Sequence, residues 1–362
     1  MSRSTRRAVG LLPALAVLVL FDNPAARAHG DGALDADSRI AYHVARLEQM
    51  PTLYPSMTEL GRAYLDKAQS TSDPTWIRQA RAEVERGLKV QETFEGYRAM
   101  MMIENYAHQF RRAVIWGEKA AAASLNGAAD PDPEIRAGLI EAYVALGEAK
   151  KAERYLPDPK VPSENFEGAT ALAKWRLTHG DPAGAAREYE RAAALARKAR
   201  SLELEAWARV AWARAELASG RVDEADRHLL EARFAIHDHG ESAVLASTTA
   251  EVLMARSRAV EALRVLETTI EKRPEDGELH WRAYRIAKRL GSDVAERHFQ
   301  ASERSYRRAI DAGEVHTLGA LARLYLDAGR KLEEARALAA RNLEYRRDPE
   351  ALATKAEADV AR

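Results

Sequence analysis

The 362-residue sequence contains no cysteine, which removes thiol catalysis, cysteine-ligated zinc, iron–sulfur clusters and a lipoprotein anchor from consideration. It also carries no net charge, with 55 Lys and Arg against 55 Asp and Glu. A general nucleic-acid binder needs a basic excess to displace counterions from phosphate, so none is expected here. Long apolar runs are absent except one, Ala8 to Phe21, and its 14 residues fall short of the roughly 20 that span a bilayer as a helix. Phosphate loops, dinucleotide fingerprints, nucleophile elbows and HExxH are missing as well. Without a convergent set of catalytic side chains the chain reads as a non-enzyme with no cofactor.

What is present begins with an address. Arg3, Arg6 and Arg7 precede the apolar run, and Ala26-Arg27-Ala28 supplies the small residues of a cleavage site. This three-part arrangement is that of a secretory signal peptide over 1–28, cut after Ala28. The expected location is periplasmic or secreted, where a chain without cysteine risks no mispairing. Cleavage leaves 51 basic and 54 acidic residues, a net of −3. No later segment is apolar enough to cross a membrane. Residues 29–39 are expected to be flexible, and an ordered array to fill 40–362.

From about residue 40 the chain is rich in Ala, Leu, Glu and Arg, with apolar residues recurring three and four apart. Helices are therefore expected, broken at short intervals by Gly or Pro. Aligning on the breaks at Gly147, Gly180, Gly220, Ser257, Gly291 and Gly329 gives spacings of 33, 40, 37, 34 and 38 residues. Seven residues before the turn a small side chain recurs (Ala173, Ala213, Ala250, Ala322), and five after it stand Ala152, Ala185, Ala225 and Ala262. The turn residues supply a left-handed backbone, and the small ones let two helices approach closely.

This register, clearest in Leu139–Tyr155, Ala171–Ala192, Ala215–Ala232 and Leu321–Ala335, resembles the tetratricopeptide repeat family. The resemblance covers roughly 55–350, with degraded units around Leu60–Leu88 and Met100–Ala120 and a capping helix over 350–362. It implies an all-α solenoid of about eight antiparallel helix pairs, wound into a right-handed superhelix. It also implies that first helices line a concave face, reached by the residue six before each turn. That column reads Arg62, Met102, Glu141, Lys174, Arg214, Glu251, Arg285 and Arg323, five of eight basic.

The expected function is an exported scaffold that binds a protein or peptide partner, with an acidic or carboxylate-bearing ligand favoured by the basic column. The groove candidates are Lys174, Trp207, Arg214, Trp281, Arg285, Lys288 and Arg323. The alternative is a metal-handling accessory for copper or zinc, using His29 at the mature N-terminus or the pair His237 and His239. Met100-Met101-Met102 reads as packing, because two of the three fall on core offsets.

Overall fold

The computed structural model describes residues 35–71, 73–124, 132–158, 163–235 and 243–361. His29, His237, His239 and all of residues 1–28 lie outside them. Among the described residues there are eighteen α-helices and one 3-10 turn. They begin with α1 (Ala36–Gln49), so helix starts four residues ahead of the expected boundary at 40, with Asp35 accepting the Ser38 N–H as its cap. Eight hairpins follow. They are α2 (Tyr54–Thr71) with α3 (Pro74–Val90), α4 (Phe94–Tyr106) with α5 (Phe110–Ser124), and α6 (Pro133–Ala145) with α7 (Ala149–Ala152). Next come α8 (Phe166–Thr178) with α9 (Pro182–Lys198), α10 (Leu202–Ala218) with α11 (Val222–Ala235), and α12 (Ala243–Ala255) with α13 (Ala259–Lys272). The last two are α14 (Gly277–Leu290) with α15 (Val294–Asp311) and α16 (Leu318–Ala328) with α17 (Leu332–Asn342), closed by α18 (Pro349–Val360).

Local chemistry sets these boundaries. Asp132, Asp181 and Asp348 each cap a helix with the side chain and are followed by proline, whose missing N–H costs nothing in the first turn. The six aligned turn residues all have positive φ, from 61° at Ser257 to 77° at Gly220. At each, the residue that follows donates its N–H to the carbonyl five back, as Asp181 does to Arg176 at 2.9 Å and Arg258 to Leu253 at 2.8 Å. This bond satisfies a carbonyl the helix end would otherwise orphan. The degraded unit at 100–120 turns the same way on His108, φ 55°.

Packing follows the register. Ala152, Ala173, Ala185, Ala213, Ala225 and Ala262 are fully buried, and Leu139, Tyr189, Leu229 and Leu266 fill the spaces between hairpins. Each such large side chain contributes roughly 1.5–3 kcal/mol of burial. Met100 and Met101 are buried in the core, as their offsets imply. Between α4, α5 and α6 the approach is closer than a methyl allows. A Cβ on Gly138 would lie 2.4 Å from the Met101 Cε, and one on Gly117 2.6 Å from a Leu139 methyl. One unit departs from expectation. Leu139–Tyr155 reads as a full hairpin, yet its second helix α7 ends after four residues and a 3-10 turn over Glu153–Tyr155. Pro157 and Pro159 follow within a few residues and leave no N–H to continue it.

The array does not stay open. The Arg347 N–H donates to the Ala145 carbonyl at 2.6 Å, joining the segment after α17 to the end of α6. The His108 ring meets the His316 ring edge-on at 5.6 Å. The ends of hairpins in the first half of the chain thus touch turns near its end, and the first helices face a common interior.

Candidate functional site

That interior is a cavity of about 400 Å³. Every first helix except α8 reaches it: α2 through Leu65, α4 through Met101, Met102 and Asn105, and α6 through Glu134 and Glu141. From the other side come α10 (Arg214), α12 (Val244, Thr248, Glu251), α14 (Glu278, Trp281, Arg282) and α16 (Ala320, Arg323). Arg346, Glu350 and Thr354 close the ring from the start of α18 and the turn before it. A volume of this size is within the range of ligand pockets.

The charged wall is built by pairs that cross between units. Arg282 is 8% exposed, binds Glu278 on its own helix at 2.9 Å and pairs with Glu251 from the preceding unit. Burial alone would raise the Glu251 carboxyl, but Arg282 and Arg214 outweigh it and hold the group below the ordinary carboxylate range. Burial would likewise lower the Arg282 guanidinium, and the two glutamates reverse that and raise it. Arg214, beside Glu251, is depressed by burial and by the neighbouring Arg282 charge. Arg346 bridges Asp348 and Glu350. Burial and the charges of Asp348 and Glu278 nevertheless push the Glu350 carboxyl up.

Of the groove candidates, Arg214, Trp281 and Arg323 line the cavity. Arg323 binds the Thr354 hydroxyl at 3.0 Å and pairs with Glu357. Lys174 instead pairs with Glu141 at 3.3 Å, its ammonium 6.0 Å from the Trp207 ring centre. Trp207 packs against Phe166 and Tyr189. Arg285 lies over Trp281 and reaches Asp327 at 3.4 Å, and Lys288 donates to the Asp327 carbonyl. These four do not line the cavity.

The basic column therefore does not make a basic groove. Nine acidic residues line the cavity against five arginines and no lysine. The single-column reading counts one residue per unit and misses the carboxylates supplied one turn earlier or by the adjacent unit. Glu278, Arg282, Arg346, Glu350 and Asn105 were all outside it. A usable signal existed in α14, where Glu278 and Arg282 stand four apart beside Trp281 on a helix face that is otherwise buried. Among the described residues, no group of three or more His, Cys, Asp or Glu is placed to hold a metal ion.

No family profile matches the chain, and no curated protein matches it in sequence. Solved structures do share its helical character. A chain of the APC/C hetero-tetramer Cut9–Hcn1 aligns at a TM-score of 0.47 and 11% identity, over 82% of this chain and 55% of that one. This chain thus spans little more than half the length of that neighbour. A tetratricopeptide repeat protein from Parabacteroides merdae aligns at 0.44 and 13% identity, over 71% of this chain and 92% of its own. Human IFIT1, solved as a dimer with PPP-AAAA, aligns at 0.41 and 16% identity, over 86% and 73%.

Proposed function

We propose that this tetratricopeptide-like array is an exported, non-enzymatic scaffold that holds a protein or peptide segment in its interior cavity. The observation that carries the reading is the convergence of seven first helices and α18 on one space. In a repeat array such a surface is built by many units at once, so its length measures what it is able to hold. The ionisable groups there pair with one another and form the wall, which favours binding over chemistry. A lining with more carboxylates than guanidinium groups also disfavours a phosphate backbone as the ligand. Export rests on the basic, apolar and small-residue segments of 1–28. No described helix is long and apolar enough to cross a membrane.

Val244 and Ala320 line the cavity from α12 and α16 and take no part in its ion pairs. The double variant Val244→Trp, Ala320→Trp is expected to lower recovery of the specific partner at least tenfold in pull-downs from the export compartment. Helix content by circular dichroism should stay unchanged. Equal recovery of that partner by the filled variant would place binding outside the cavity.

A further inference from the structure

The lining carries more carboxylates than guanidinium groups, although Glu134, Glu141 and Glu275 are matched by Arg98, Lys174 and Arg308 from outside it. Four of its five arginines are engaged: Arg282 with Glu251 and Glu278, Arg323 with Glu357, Arg346 with Asp348 and Glu350, and Arg273 with Asp276. The fifth, Arg214, is within the field of the Glu251 charge. No guanidinium is left in surplus to receive an anion, whereas burial, with the charges of Asp348 and Glu278, pushes the Glu350 carboxyl up.

Asn105 gives an independent sign of what is missing. It lines the cavity, is 7% exposed, and donates its Nδ2 to the Gly138 carbonyl at 3.0 Å. Because that carbonyl only accepts, the amide orientation is fixed and Oδ1 points away from it. Oδ1 is buried without a hydrogen-bond partner. Buried acceptors are nearly always satisfied, so an unsatisfied acceptor in a cavity wall calls for a donor from a ligand. Met102 lines the cavity from the same helix and is partly exposed, with Leu65 and Met101 buried in the wall. A donor-rich cationic head on an apolar stem describes a lysine or arginine side chain.

We propose that the cavity takes an amphipathic cationic peptide segment, whose lysine or arginine head donates to Asn105 Oδ1 and the neighbouring carboxylates while apolar residues lie on Met102, backed by Leu65 and Met101. The inference rests on the interior cavity being the binding surface, and it reverses the ligand charge expected from the sequence column. The polarizable methionines suit a stem of varied shape. Charge complementarity sets the sign of the partner and its salt dependence.

Two blocked octapeptides, one alternating Leu and Arg and the other Leu and Glu, test the assignment against the mature protein by fluorescence anisotropy. The arginine peptide is expected to bind at least tenfold more tightly, and added salt should weaken it. Glu141→Gln keeps an acceptor for Lys174 and should weaken that peptide about threefold with a shallower salt dependence. Asn105→Leu should weaken it further. Preference for the glutamate peptide, or no binding of the arginine peptide, overturns the cationic assignment. If the native partner is still lost from the Val244→Trp, Ala320→Trp variant, the interior reading survives that result. Full binding of the arginine peptide to the filled variant overturns both.

Discussion

Replacing Arg282 by methionine is expected to destabilise the array by about 2–3 kcal/mol, below the cost of breaking a fully buried ion network because the Glu251 and Glu278 side chains each stay 32% exposed. The substitution strands two carboxylates. Glu251 is held in its charged form by Arg282 and Arg214 against the effect of burial, and Glu278 also accepts the Tyr306 hydroxyl at 3.0 Å. Because Glu251 belongs to α12 and Glu278 to α14, the loss loosens the joint between two units rather than one helix. Adding Glu251→Gln and Glu278→Gln should recover more than half of the loss, since neutral amides fill the same space without unpaired charge. Urea unfolding of the three proteins checks this. A loss below about 1 kcal/mol in the single variant would mean that Arg282 is not the tie between these units.

The second large effect is with pH. His108 occupies the turn between α4 and α5 where the array closes, stacked on Phe110 and edge-on to His316. Burial, with the charges of His316 and Arg346 adding to it, holds its imidazole well below the ordinary 6.5. Burial also lowers His43, His228 and His298. Above pH 6.5 these groups are neutral in both folded and unfolded chain and contribute no pH dependence. Below it the unfolded chain takes up protons that the folded chain refuses, so stability falls as pH falls. His108 alone accounts for about 1.4 kcal/mol per pH unit until its folded form also titrates. The array should therefore lose several kcal/mol between pH 7 and pH 5. His108→Gly suits the positive φ and removes the ring, so its stability should fall less steeply by one proton's worth. Parallel curves for the two proteins from pH 7 to 5 would contradict the assignment to His108.

The sequence carried the repeat well because the repeat is local. A glycine or serine that must adopt positive φ, an alanine seven before it and another five after it answer to contacts within one hairpin or between neighbours. Ser257 could thus be aligned with five glycines although it is not one, and Ala250 before it is buried as the register requires. The short α7 was less legible, since Glu148–Tyr155 has helix-forming composition and the stop comes from prolines beyond it. Closure left no mark at all. The Ala145–Arg347 bond joins residues about two hundred apart, and no periodicity encodes a contact made once. The same distance hid the charge of the cavity. Arg282 falls outside the column, and only the fold sets it beside Glu251 from another unit.

The central claim is that the inner face, assembled from first helices, is what this chain offers a partner. Hydrogen–deuterium exchange of the protein from residue 29 onward, with and without a captured partner, tests it most directly. The prediction is slowed exchange in α4, α6, α12, α14 and α16, with the second helices α9, α11 and α13 unchanged. Protection confined to those second helices would contradict it.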